Sequence, residues 1–336
     1  MQHICRQDIL FLQMPIRIFL KGLITTMIKK HCFLPWILTG CLILGGLTGC
    51  SGSKHNSADH SGSTPQSTQT TQSMTDHNEN EDSNLGAWGR AMGAVLISIN
   101  DGNPYYFGGY ETTEDNKQAA RNILKSSWNI SSRKDLLRQV RFLQKTGSRK
   151  DYKREARDLK ALSTKERKKA LKQISGILKT HYDNLQYISD TWGNKGLLAW
   201  DLCRISHLVQ WGYIADYVNL DEAQALLEPA ASRLQKSFTN WNDVITNWLD
   251  GYAYASSIAI RSVQTTDYNN RQEIYQKLLS EQKDVDPLFD NKLFQEDIIP
   301  LGTVSYDSLM KEIKTTHKIK KKQNKTSPKK DVSREG

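Results

Sequence analysis

Two pairs of polar side chains between residues 201 and 207 have a spacing that would let them act together on a helix. Cys203 and His207 are four residues apart and would share a helix face, where an imidazole can turn a thiol into a nucleophilic thiolate. Asp201 and Arg204 are three residues apart and would be within reach of each other. Cys203 and His207 could therefore form a catalytic dyad. Asp201 with Arg204 could provide an acid, a base or a ligand for a cationic group.

A structural interpretation competes with the catalytic one for both pairs. A free cysteine is commonly buried as a small hydrophobic residue, and Cys203 is the only cysteine after Cys50. A carboxylate among leucines and isoleucines needs a partner, so Asp201 and Arg204 can equally form an ion pair that orients packed helices. We favour the structural role for both pairs. The chain also lacks the glycine-rich phosphate loop and the common hydrolase and metal-binding motifs, so no reaction, cofactor or metal is predicted.

The helix that would carry these pairs is predicted to lie inside the protein. Apolar side chains recur there at helical spacing on several neighbouring rows. They are Leu197, Leu198, Trp200, Leu202, Ile205, Leu208, Val209 and Trp211. A helix with so broad an apolar surface is buried on more than one side, and Gly212 is expected to end it.

Two more helices are predicted directly downstream. Asn219 and Glu222 have the spacing of a capping box, and an apolar period follows as far as Phe238. Pro229 interrupts that period and predicts a kink or a break. A further helix is expected from about residue 239 to residue 251. Helix-capping residues further upstream are Thr113, Ser132 and Ser163. The predicted fold class is therefore all-α, a compact multi-helix globular domain.

The block Gly196-Leu-Leu-Ala-Trp-Asp-Leu-Cys-Arg204, with Trp211-Gly-Tyr-Ile-Ala215 after it, resembles the core of a bacterial family of unknown function, the YbeU/YbeR-like family. The resemblance covers roughly residues 128–255. Cys203 and Asp216 stand where that family usually has glycine. The resemblance implies an architecture and no activity. The predicted structural core consists of Trp200, Asp201, Arg204, Trp211, Glu222, Phe238 and Trp241.

A secretion signal precedes the predicted domain. Residues 27–49 begin with two lysines, continue with an apolar run and end in Leu-Thr-Gly, a pattern typical of a signal peptide. Together with Cys50 this ending resembles a bacterial lipobox, which implies that Cys50 becomes the lipidated first residue of the mature protein. Ser51 after the cysteine resembles outer-membrane sorting. Residues 1–26 do not fit a signal peptide and are interpreted as an over-extended start.

Polar segments flank the predicted helical domain of residues 86–300. Residues 50–85 contain the lipid anchor and a tether too poor in apolar residues to form a core. Residues 301–336 are expected to be a basic disordered tail. Within the domain, residues 148–172 are rich in both signs of charge, which favours an exposed helical arm over an RNA-binding patch. A helix starting at Ser163 is expected to continue toward His181.

The net charge of +10 lies mainly at the two ends of the chain. Residues 311–336 carry +7 and residues 1–50 carry +4, so residues 51–310 are nearly neutral. A nucleic-acid-binding domain carries its excess positive charge on its folded surface, and nucleic acid is therefore not predicted as a partner. The tail, residues 311–330 above all, either contacts anionic lipid or cell-wall polymer or is simply solvated.

These observations predict a lipoprotein of the cell envelope whose helical domain is a binding or scaffolding module. Its expected partners are the bilayer, through Cys50, and another envelope protein. The alternative is an envelope enzyme with a site around Asp201 and Arg204. A concave pocket formed by Asp201, Arg204 and Glu222 would favour the enzyme, whereas a solid core there, with an exposed apolar patch elsewhere, would favour the binding module.

Overall fold

The computed structural model describes residues 83–260, 266–281 and 288–313. Within these ranges it contains eleven numbered helices, one further helical segment and no strand. They are α1 (Asn84–Ile99), α2 (Glu114–Trp128), α3 (Arg133–Lys145), α4 (Arg149–Lys160), α5 (Thr164–Lys172), α6 (Gly176–Trp192), α7 (Leu198–Ile214), α8 (Leu220–Ser237), α9 (Trp241–Ser256), α10 (Thr266–Ser280) and α11 (Asn291–Gln295). Residues 306–313 are also helical. The all-α prediction is confirmed.

Side-chain caps place the helix starts where the sequence predicts them. The Ser132 side chain accepts a hydrogen bond from the backbone of Asp135 at the start of α3. Reciprocal capping boxes begin α5 at Ser163 and α8 at Asn219. Each cap satisfies N–H groups that have no partner within the helix. These short-range signals therefore fix where several helices begin.

Helix α7 is the central element of the domain. It packs against α1, α2, α3, α8 and α9, and Arg204 and Tyr213 are its only residues that are not buried. The prediction that this helix is buried on several sides is confirmed. Its cluster of polar residues must therefore find partners inside the protein.

The expectation that Gly212 ends this helix is wrong. Helix α7 continues to Ile214, and a Cβ atom built on Gly212 would lie 2.4 Å from Leu136 Cδ2 of α3. This glycine instead lets two helices approach closely. The chain turns two residues after the helix end, at Asp216, whose φ of 63° lies in the left-handed region. Glycine adopts that region most easily, so Asp216 holds a backbone conformation that is unfavourable for most other residues.

Two further expectations concern helix boundaries. Helix α8 runs through Pro229 without the predicted break, and buried apolar residues lie on both sides of the proline. The helix that starts after Ser163 does not reach His181. It ends at Lys172, and α6 begins at Gly176 with a positive φ.

The ordered domain extends beyond the expected boundary at residue 300. Leu309, Met310 and Ile313 are buried in the core, and Glu312 forms an ion pair with Arg133 of α3. Ile299, just before that boundary, is 63% exposed. The predicted signal peptide, Cys50, the tether up to residue 82 and the tail from residue 314 lie outside the described residues. In the part of the chain that the structure describes, no helix combines the length and apolarity of a membrane span.

Candidate functional site

The carboxylate of Asp201 lies at the start of α7 and is fully buried. Its Oδ1 accepts hydrogen bonds from the Ser148 backbone N–H at 2.9 Å and from Arg204 Nη2 at 2.5 Å. Its Oδ2 accepts one from the Arg149 backbone N–H at 3.0 Å and lies 3.1 Å from Arg149 Nη1. The expected pair of Asp201 and Arg204 is therefore present, and Arg149 is a second cationic partner.

Asp201 caps the N-terminus of α4, a helix to which it does not belong. Ser148, the residue before α4, makes no capping hydrogen bond with its own side chain. The Asp201 carboxylate, which belongs to α7, accepts these hydrogen bonds instead. The partial positive charge at the N-terminus of α4 favours an anion at this position. A carboxylate supplied by a distant segment thus joins two helices.

Gly147 makes this approach possible. Its φ is +50°, and a Cβ atom at this position would lie 2.2 Å from Asp201 Oδ2. Any side chain here would both strain the backbone and displace the carboxylate. The last turn of α3 is tied to the same point, because Arg149 Nη2 donates to the carbonyl oxygens of Leu143 and Gln144. The C-terminus of α3, the N-terminus of α4 and the start of α7 therefore meet at Asp201.

Arg204 closes the outer side of this junction. Its Nη2 also donates to Ser148 Oγ at 2.9 Å, and its guanidinium group lies 4.4 Å from the ring centre of Trp200 and 5.6 Å from that of Trp128. Burial lowers the pKa of Arg204 and of Arg149, and the charge of Asp201 opposes that effect. The group is a packed junction in which one carboxylate faces two arginines and both carboxylate oxygens are already occupied.

This junction lies within a segment, residues 123–288, that matches a protein-family model. The segment is a DUF1266 domain. The family is described as a protein of unknown function. The DUF1266 segment extends further at both ends than the resemblance in the sequence suggests. No match was found among the curated proteins or the solved structures.

Glu222 of the DUF1266 domain does not converge with Asp201 and Arg204. Its carboxylate receives two hydrogen bonds from Arg133, at 2.6 and 2.8 Å. The same arginine binds Glu312. Burial tends to raise the pKa of Glu222, but the bonds from Arg133 and from the Asn219 backbone outweigh it and lower the pKa. This second ion pair links α3 and α8 with the helical segment that contains Glu312.

The environment of Cys203 and His207 does not suit a catalytic dyad. Both side chains are buried, and burial raises the pKa of Cys203. Burial, with smaller effects from Arg204 and Arg271, lowers the pKa of His207 to about 3. At neutral pH the thiol is therefore protonated and the imidazole is neutral, whereas a dyad needs a thiolate. His207 instead packs against Trp248, with ring centres 6.0 Å apart.

The remaining residues of the predicted core serve packing. Trp200, Trp211, Phe238 and Trp241 are buried. The Trp241 ring lies 4.5 Å from that of Trp88, and its Nε1 donates to the Asp290 carbonyl oxygen. These contacts bring α1, α9 and the segment before α11 together.

One polar cluster was missed by the sequence analysis. His181 Nε2 lies 2.9 Å from Glu155 Oε2, and Tyr254 donates to the same oxygen at 2.7 Å. Burial and the charge of Glu155 raise the pKa of Tyr254, so the phenol stays protonated. The three residues come from α4, α6 and α9, and their spacing in the sequence gave no signal. Among the described residues, no group of three or more histidine, cysteine or acidic side chains could hold a metal ion.

Proposed function

We propose that the protein is a lipoprotein of the bacterial cell envelope whose DUF1266 domain is a binding or scaffolding module. Cys50 is the proposed site of lipidation, because Leu-Thr-Gly-Cys follows an apolar segment at the position where a lipoprotein peptidase would cleave. Two or three acyl chains give stable attachment where a single chain gives marginal binding. Ser51 supports sorting to the outer membrane, and the block from Gly196 to Arg204 supports a domain of the YbeU/YbeR type.

The closed junction at Asp201 is the observation that favours a binding module over an enzyme. An acid or base must reach a substrate proton at hydrogen-bond distance. The Asp201 side chain is fully buried, and both its oxygens are occupied by the protein's own N–H groups. Glu222 belongs to a different ion pair. The residues expected to form an active site are therefore occupied in holding helices together.

Mass spectrometry of the mature N-terminus tests the anchor. The full chain is expressed in a bacterium with a lipoprotein pathway, and the expected first residue is Cys50 bearing diacylglycerol. Cys50→Ala should abolish acylation and the membrane attachment that persists in high salt, where contacts based on charge are screened. Cys41→Ala, which changes a cysteine inside the signal segment, should leave both unchanged. A mature product that retains Gly49, or a Cys50→Ala protein that is still acylated, would contradict the anchor.

Crosslinking in intact cells tests the binding role. We expect the wild-type protein to capture the same envelope protein in repeated experiments. The Cys50→Ala variant should lose that protein, because the domain is no longer held beside its partner. If wild type and variant give the same unspecific background, the scaffolding role is wrong, whatever the outcome for lipidation.

A further inference from the structure

Helix α5 presents an uncompensated basic face to solvent. None of its residues is buried. Lys165, Lys168, Lys169 and Lys172 are spaced three and four residues apart, so they project from one side of the helix. Together with Thr164 they line one open part of the surface. The helix therefore contributes charge to the surface and little to the core.

The surrounding acidic residues do not neutralise this face. Residues 148–172 contain eleven basic and four acidic residues. Each of the four acids already has a partner: Asp151 pairs with Arg154, Glu155 with His181, Asp158 with Arg157, and Glu166 with Ser163 in the capping box. In the part of the chain that the structure describes, the four lysines of α5 form no ion pair. Their positive charge is available to an anionic partner.

An exposed aliphatic side chain follows this basic face closely in the sequence. Ile177, in the first turn of α6, is 66% exposed, the highest value among the large exposed apolar side chains of the described residues. It follows Lys172 by five residues, a distance of at most about 17 Å along an extended chain. Lysine side chains can keep their charged ends at the level of lipid headgroups while an aliphatic side chain enters the acyl boundary.

We propose that Ile177 and the lysine face of α5 form a docking surface for a bilayer of anionic phospholipid. The charge of the helix complements that of the headgroups, and Ile177 supplies apolar contact. Helix α5 has no aromatic residue, whereas binding of single-stranded nucleic acid relies on aromatic stacking platforms. This surface is separate from Cys50, so its test does not depend on lipidation.

Vesicle binding of the full chain with Cys50→Ser, which cannot be acylated at that position, tests the proposal. The vesicles consist of phosphatidylcholine alone or of phosphatidylcholine with phosphatidylglycerol. We expect binding only when phosphatidylglycerol is present. Each Lys→Gln change on α5 should weaken it about fivefold, and the four together by roughly 600-fold if their effects add. Ile177→Ser should weaken it by up to about tenfold. Added salt should weaken it in every case.

A matched variant distinguishes the effect of where the lysines lie from the effect of the total charge on vesicle binding. It carries four Lys→Gln changes at exposed lysines on other helices. These are Lys125, Lys236, Lys277 and Lys292. The basic tail is the same in both variants, and Ile299→Ser is the control for Ile177→Ser. The matched variant and Ile299→Ser should bind almost as well as the parent protein.

Two results would overturn the proposal. One is equal vesicle binding by the α5 variant and the matched variant. The other is binding of a single-stranded RNA or a DNA duplex that depends on the α5 lysines and is tighter than binding to the anionic vesicles. Circular dichroism and thermal melting of each variant check that the changes leave the fold intact, as expected for exposed side chains.

Discussion

At the scale of single residues, Asp201 combines two roles that are usually separate, because it caps a helix and forms ion pairs with two arginines, the buried Arg149 and the partly buried Arg204. The charges are desolvated, so removing one partner leaves the others buried without compensation. Asp201 and Arg204 can be paired from their spacing in the sequence. The hydrogen bonds from the Ser148 and Arg149 backbone cannot be predicted in this way. These residues are more than fifty positions away, and no local pattern links them to Asp201.

Gly147→Ala tests how closely the carboxylate and the backbone approach each other. The new Cβ would overlap Asp201, so the free energy of unfolding should fall by at least about 3 kcal/mol. Gly176→Ala is the control, since Gly176 has a similar positive φ but nothing within 4 Å of its Cβ position. That change should cost only the backbone strain, about 1–2 kcal/mol. If denaturant titrations show the same loss of unfolding free energy for Gly147→Ala and Gly176→Ala, the contact with Asp201 does not contribute to stability.

His207 should make stability depend on pH. Its pKa is about 3 in the folded protein and about 6.5 when unfolded. The unfolded state therefore binds a proton first as the pH falls. The contribution of His207 is fully present above pH 6.5 and is lost between about pH 6.5 and 3, at roughly 1 kcal/mol per pH unit. His207→Gln should flatten this part of the stability profile relative to wild type. Parallel profiles for the two proteins would show that His207 is not buried as a neutral group.

At the scale of helices, local sequence signals gave correct predictions where the interaction itself is local. They gave wrong predictions where the interaction involves another helix. Capping residues predict the starts of α3, α5 and α8 because their hydrogen bonds lie within four residues. Gly212 was misread as a helix end because its reason lies in another helix, at Leu136. The continuation of α8 through Pro229 likewise depends on packing that a local propensity does not include.

The close contact of α3 and α7 predicts a coupling between two substitutions. Alanine normally stabilises a helix relative to glycine by roughly 0.5–1 kcal/mol. Gly212→Ala should instead destabilise the protein by about 1–3 kcal/mol, because the added methyl group overlaps Leu136. In a Leu136→Ala background, the same change should cost much less. A double-mutant cycle measured by denaturation gives the coupling, and strictly additive effects would rule out the contact.

At the scale of the whole molecule, the sequence predicted the average charge of the domain but not its distribution. It also placed the C-terminal boundary of the domain too early. Residues 51–310 sum to nearly zero, yet residues 148–172 alone carry +7, so the average conceals a basic arm. The C-terminal boundary was placed too early because the few apolar residues at 309–313 stand at the edge of a basic run. Their burial depends on packing in the core cluster of the domain, whose other members lie far away in the sequence.

Truncation tests the revised boundary. A chain that ends at residue 313 should unfold with the same free energy as the full chain. A chain that ends at residue 304 loses the buried side chains of Leu309, Met310 and Ile313 and the ion pair of Glu312 with Arg133. Its stability should fall by several kcal/mol, since each large apolar side chain contributes roughly 1.5–3 kcal/mol when buried. Equal stability of the two truncated chains would show that the domain ends near residue 300, as the sequence analysis predicts.

The most direct measurement of the central claim is the free energy of unfolding of Asp201→Ala beside that of Asp183→Ala. Both variants lose a carboxylate that pairs with a cationic side chain, but the pair of Asp183 and Lys179 is about half exposed. If Asp201 joins three helices, its removal costs about 3–5 kcal/mol, and removal of Asp183 costs less than about 1 kcal/mol. A loss below about 1 kcal/mol for both variants would contradict the structural role of Asp201.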